Sequence, residues 1–411
     1  MTFKSISIFL IAFLSGFNLA GQTVGLEMKA GVNRVDIPFE YKNNFIIVDL
    51  ILNKVLPLKF IFDTGAEYTI INKREVVDLF NVSYDKEFKI LGSDMAAELV
   101  ANLTRDITLD FNKFHGSQQD ILVLAEDYFR IEDFTGIEIH GIIGANFFKR
   151  YVIKIDYRRK VLSFIKPEVF LNAPNGYQEV STHFSRNKPY LHVHTEVIAD
   201  TAVQLNMLID SGASLAMLIL SNSHHNISLP EHTIEGNLAM GLGGYLRGFL
   251  GRTHRIKLNE RLQFQNVLTN FQKITAQQDT TLLNGRNGVI GNVILKRFTI
   301  IIDYPREKVY FKPNKNYNRG FKYDKSGLGL TASGRNLNNF LVHHVIKGSP
   351  ADLAGVEAGD EIIRVNLFGS SFYSLSSLNR LLQGREGKRI KLIIRRNGLR
   401  KKVFFRLKTI I

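Results

Sequence analysis

Residues 60–66 read FIFDTGA and residues 207–213 read MLIDSGA. Each is an apolar run ending in an aspartate, then a hydroxyl residue, a glycine and an alanine. Asp63 and Asp210 lie 210 − 63 = 147 residues apart, and the same interval governs other segments. GIIG at 141–144 returns as GVIG at 288–291, so Gly144 maps onto Gly291. KIDYRRKVLSF at 154–164 returns as IIDYPREKVYF at 301–311, and the Lys-Arg pair at 149–150 returns at 296–297. Several blocks in one register over about a hundred residues indicate a duplicated unit.

The rest of the chain suits that reading. Residues 30–165 consist of short or alternating apolar runs rich in β-branched and aromatic residues, the pattern of strands. A Pro- and Asn-containing stretch at 166–178 marks a join, and the polar stretch 312–327 marks a second. With 411 residues, two to three domains are expected. The divisions are a leader at 1–21, one unit at 22–170, its repeat at 171–316, and a small domain at 322–411. The leader has Lys4, an apolar stretch from Ile6 to Phe17, then small residues, which is the pattern of an export signal. It predicts an exported protein of the periplasm, cell envelope or medium, with no membrane span beyond the leader. The absence of cysteine removes disulfides and thiol nucleophiles from consideration.

The net charge is +15, concentrated towards GKRIKLIIRRNGLRKKVFFRLK at 387–408. These cations alternate with apolar residues, and no stacking aromatics or nucleic-acid motif accompany them. They read as basic outward faces of strands, suited to solubility or to an anionic envelope surface, rather than to nucleic acid. Histidines 192, 194, 224, 225 and 232 lack a metal-ligand spacing such as HExxH, so neither a metal nor another cofactor is expected.

Two carboxylates contributed by two similar units can face one another across a twofold axis. Held close together they cannot both ionise, and they share one proton. The ionised member then takes a proton from water while the protonated one polarises a carbonyl. Gly65 and Gly212 permit the sharp turns this needs, and Thr64 and Ser211 offer hydroxyls that can hold the two loops together.

DTGAEYTII with IIGANFF, and DSGAS with VIGNVI, resemble the aspartic proteases, closest to the retroviral type and its single-chain bacterial relatives. The resemblance covers about residues 35–312. It implies a mainly β fold of two pseudo-symmetric barrel-like lobes, with Gly144 and Gly291 beneath the aspartate loops. It implies an endopeptidase in which Asp63 and Asp210 activate water and Thr64, Gly65, Ser211 and Gly212 support them. Glu67 then falls where substrate backbone is contacted; its counterpart is Ser214, so the two cleft halves are expected to differ. MGLGGYLRGFLG at 240–251 is the candidate flap, with Gly243, Gly244 and Tyr245 against substrate, and KILGSDMAAEL at 89–99 is its counterpart. Ala66 and Ala213 stand where the wider family often has Ser or Thr, which implies an optimum at weakly acidic pH, on the order of 5 to 6.5.

The final segment, with GLGL at 327–330, VIKGSPADLAGVEAGDEIIRVN at 345–366 and SLSSLNRLLQ at 374–383, resembles a PDZ domain, an α+β fold. The resemblance implies that Leu328, Gly329 and Leu330 bind the free C-terminus of a peptide or protein, beside a strand edge that accepts it. The partners expected are therefore protein or peptide substrates and peptide C-termini. The alternative from another class is a catalytically silent peptide-binding scaffold in the cell envelope; a silent copy is expected to have lost one of the paired residues.

Overall fold

The computed structural model describes residues 25–411 apart from 92–97, 112–113, 118–119, 129–130, 242–243, 275–282 and 284. The leader at 1–21, most of the 89–99 segment and Gly243 therefore lie outside the described residues. No helix among the described residues is long and apolar enough to cross a membrane.

The chain is mainly β. A first sheet orders its strands Glu40–Lys42, Phe45–Leu52, Leu56–Phe62, Gly141–Ile143, Thr69–Ile71, Ile121–Leu124, Glu98–Thr104 and Lys86–Leu91. A second orders them Thr182–Ser185, Lys188–Glu196, Ala202–Ile209, Gly288–Ile290, Met217–Leu220, Leu262–Gln272, Gly244–Asn259 and Ile234–Gly241. Position by position the two orders correspond. In each, the strand ending at the aspartate pairs in parallel with the Gly-Ile/Val-Ile strand, which pairs antiparallel with the strand after the aspartate loop.

A six-stranded sheet joins the halves, in the order Gln178–Glu179, Lys308–Pro313, Phe298–Asp303, Val152–Asp156, Val161–Ile165 and Arg34–Pro38. Its central pair is Val152–Asp156 against Phe298–Asp303, with Val152 opposite Asp303, Lys154 opposite Ile301 and Asp156 opposite Thr299. Lys154 and Ile301 are themselves 147 apart, so the 147-residue shift maps this register onto itself. The twofold relation of the sequence thus passes through one backbone pairing.

One core runs through both halves. In the first, Phe62, Phe148 and Phe164 pack against Phe111, Phe114 and Phe147, with Phe62 and Phe148 stacked at 4.5 Å between centroids. Burying each such ring contributes roughly 1.5–3 kcal/mol, so the strand beneath Asp63 is rigidly seated. The core continues to Phe321, past the turn at 315–318. There the Arg297 guanidinium lies 3.9 Å over the Phe321 ring and donates to Tyr317 O at 3.0 Å, which ties this connector down.

Residues 328–407 have a separate core. A sheet ordered Leu328–Ser333, Asn339–Val345, Glu361–Val365, Arg389–Arg396 and Leu399–Arg406 packs against helices Pro350–Leu353 and Leu375–Leu382. Ser374 caps the longer helix: its hydroxyl accepts from Ser377 N–H, and Ser377 bonds back. Leu375, Leu378 and Leu382 all point into the core, because their spacing puts them on one face.

Candidate active site and PDZ groove

Strands Leu56–Phe62 and Ala202–Ile209 deliver Asp63 and Asp210 to one place. Asp63 N–H donates to Ile143 O and Asp210 N–H to Ile290 O, each at 3.0 Å. Each loop then turns back on its own carboxylate: Gly65 N–H donates to Asp63 Oδ1 and Gly212 N–H to Asp210 Oδ1, both at 2.7 Å. The glycines also face the opposite loop. A Cβ on Gly65 would lie 2.6 Å from Asp210 Cγ, and one on Gly212 would collide with the Asp63 carboxyl. Only glycine permits the two aspartates to approach.

Thr64 and Ser211 are fully buried and lock the loops reciprocally. Thr64 N–H donates to Ser211 Oγ and Ser211 N–H to Thr64 Oγ1, each at 3.0 Å. Thr64 Oγ1 donates to Ile209 O and Ser211 Oγ to Phe62 O, each at 2.8 Å. Gly144 and Gly291 lie under the loops, where a Cβ would run into the backbone of Tyr68 or Leu215.

The two carboxyl groups are partly accessible and within hydrogen-bonding reach of each other. Burial pushes both above the usual carboxylate range. The Asp210 charge drives Asp63 higher still, well beyond an ordinary aspartate. Asp210 is held back by its hydrogen bond with Asp63, by Gly212 N–H and by the Arg286 guanidinium.

Sequence reading missed several neighbours. Asn292 is fully buried; it donates from Nδ2 to Ser211 O at 2.5 Å and accepts from Tyr157 OH at 2.6 Å. Arg286 has a buried Nε with no hydrogen-bond partner among the described residues, and its charge acts on Asp210 and Tyr190. Lys188, lowered by burial, is influenced by Arg286, Glu67 and Asp210. The 147-residue comparison points away from these residues: Arg286 corresponds to Ile139, and Asn292 to Ala145.

Glu67 sits on the Asp63 side, where its carbonyl accepts from Asn146 N–H at 3.0 Å and its charge reaches Lys188 and Tyr190. Ser214 instead lines a cavity of about 210 Å³ between the second half and the C-terminal domain, with Asn44, Glu235, Tyr323, His344 and Gln383. Gly244 opens strand Gly244–Asn259, which pairs with Ile234–Gly241, Gly241 opposite Gly244 and Met240 opposite Tyr245.

In the C-terminal domain, Leu328 and Leu330 are buried in its core, and Gly329 lies under the His344 ring, where any Cβ would collide. Asp324 Oδ1 accepts from Ser326 N–H at 2.8 Å and Gly327 N–H at 2.6 Å, and Leu328 N–H donates to Ser326 Oγ at 3.2 Å. Burial pushes Asp324 up to about 6 against these bonds. Leu328–Ser333 is an edge strand, and helix Leu375–Leu382 flanks it. Helix Ile131–Thr135 of the first half packs against both. A Cβ on Gly136 would lie 3.1 Å from Leu375 Cβ, and Asn43 bridges Thr135 O at 2.5 Å and Ser376 Oγ at 2.6 Å.

No curated protein matches the chain. The PDZ domain family matches residues 341–396, which take in most of Asn339–Val345, the strands Glu361–Val365 and Arg389–Arg396, and the helix Leu375–Leu382. Residues 341–396 are a PDZ domain, a peptide-binding module.

Proposed function

We propose that residues 22–316 form an aspartic endopeptidase with two pseudo-symmetric lobes and that the PDZ domain supplies a second peptide contact in an exported protein. The observation that carries the reading is the reciprocal Thr64–Ser211 lock, which holds two carboxyl groups together where they must share one proton. Asp63, the more strongly raised group, carries the proton, and Asp210, beside Arg286, is the carboxylate. Asp210 removes a proton from water, whose oxygen attacks the peptide carbon. Asp63 gives its proton to the carbonyl oxygen, yielding a neutral tetrahedral diol. Asp210 then gives its proton to the amide nitrogen while Asp63 takes one from a hydroxyl of the diol; the C–N bond breaks, a carboxylic acid and an amine are released, and both aspartates return to their starting states. A silent scaffold gives no reason to retain both halves of this arrangement. The test is cleavage of an unfolded protein by purified chain, with Asp63→Asn alongside. Cleavage lost in the variant and blocked by a peptide bearing a secondary alcohol at the scissile position supports the reading; equal cleavage by the variant refutes it.

Peptide capture at the PDZ domain uses the edge of Leu328–Ser333, with the free terminus near Leu328, Gly329 and Leu330. Because helix Ile131–Thr135 lies on the same strand and helix, the peptide and that helix compete. Titrating intact chain with matched peptides, free and C-terminally amidated, checks the terminus; equal affinity would remove carboxylate capture.

A further inference from the structure

The charge of the chain is unevenly placed. Residues 322–411 carry 17 Lys and Arg against six Asp and Glu, so +11 of the total +15. Residues 387–408 carry ten cations and no carboxylate. The hairpin Arg389–Arg396/Leu399–Arg406 sorts them by face. Ile390, Leu392, Ile394, Val403 and Phe405 point into the core. Arg389, Lys391, Ile393 and Arg395 point the other way, opposite Arg406, Phe404, Lys402 and Arg400 respectively.

That register puts Arg389 directly across from Arg406 and Arg395 across from Arg400. Like charges facing each other across a ladder destabilise a sheet. Arg395 is compensated by Glu361, but Arg389, Lys391, Arg400, Lys402 and Arg406 make no ion pair with any carboxylate among the described residues. Phe404 is 40% exposed in their midst, with the Arg389 guanidinium 4.7 Å and the Lys402 ammonium 5.0 Å from its ring centre. Leu399 is exposed at the hairpin tip. The hairpin lies at the edge of the sheet opposite Leu328–Ser333, so contact here leaves the peptide-binding edge clear.

We propose that this face docks on an anionic lipid surface. Uncompensated cations on one face of a strand pair, with an aromatic ring and a leucine among them, suit a charged headgroup layer whose boundary is apolar. Single-stranded nucleic acid would be served by a groove with several stacking rings, and this face has one.

The test is sedimentation of residues 22–411, which contain every described element, with vesicles of phosphatidylglycerol and phosphatidylcholine in equal parts or of phosphatidylcholine alone. Binding only to the anionic vesicles, lost at high salt, is expected. Each basic residue near such a surface is worth about fivefold in affinity, so Arg400→Gln with Lys402→Gln is expected to weaken binding roughly 25-fold. Arg158→Gln with Arg159→Gln, removing the same charge from another exposed turn, is expected to leave binding within about twofold, since those charges lie off the face. Equal loss in the two double variants would show a net-charge effect and overturn the proposal. So would equal binding to neutral vesicles, or binding of mixed-sequence DNA in place of vesicles.

Discussion

The Asp63 and Asp210 halves of the molecule share a backbone arrangement and differ in their charged surroundings. Strand order, the Ile143 and Ile290 carbonyls, the loop glycines and the Thr64–Ser211 lock repeat at 147 residues with matching distances. Around them, Asp210 has Arg286 and Asn292, whereas the corresponding positions near Asp63 are Ile139 and Ala145. Glu67 is answered by Ser214. A symmetric scaffold brings two identical acids together; in the proposed mechanism the Arg286 guanidinium beside Asp210 favours Asp210 as the carboxylate and leaves the proton to Asp63.

The most severe way to break this comparison is to remove one acid. Asp63→Asn and Asp210→Asn are each expected to cost on the order of 10²–10⁴ in hydrolysis rate, and the double variant no more, because the pair acts as a unit. Initial rates on one fluorogenic peptide decide this; a double variant far slower than either single would show independent roles. The same substitution tests the buried pair through stability. A carboxyl whose folded pKa is raised binds its proton more tightly when folded, so its stability contribution is intact below about pH 4 and is lost as pH rises through the folded value. Thermal unfolding of wild type should therefore fall over that window relative to Asp63→Asn, by roughly 2–4 °C for each kcal/mol. Parallel curves would contradict the shared proton.

Thr64→Val and Ser211→Ala probe the symmetric part. Each leaves a buried N–H of the other loop without its partner, a cost of about 1–3 kcal/mol. Urea unfolding should give similar losses for both; a large inequality would mean that the lock is not reciprocal.

The asymmetric part is probed by Arg286→Met. Losing that cation removes a restraint on Asp210, so the acidic limb of the pH–rate profile should move to higher pH, while Ile139→Leu leaves it in place. The smallest effect is expected from Glu67→Gln, a rise in KM of a few-fold with kcat nearly kept, the mark of lost uniform binding.

The symmetric half of this picture was legible in the sequence because it rests on local patterns: apolar runs ending in Asp, glycines where backbones cross, and one interval repeated. The asymmetric half was not. Asn292 finds Tyr157 at 135 residues' separation, and Arg286, in the loop before Gly288–Ile290, and Lys188, at the start of Lys188–Glu196, gain meaning only when both come beside Asp210. The PDZ domain announced itself through its middle block, but the packing of Ile131–Thr135 against its groove joins segments about 200 residues apart with no shared motif. The basic hairpin showed its alternation in sequence; that Arg389 faces Arg406 required the register.

The pH dependence of kcat/KM for a single internally quenched peptide tests the shared proton most directly. The account predicts a bell-shaped profile for wild type, with its optimum in the weakly acidic range, on the order of pH 5 to 6.5, and no bell in either Asn variant. A profile with one limb, an optimum below about pH 4, or a bell that survives Asp63→Asn would contradict it.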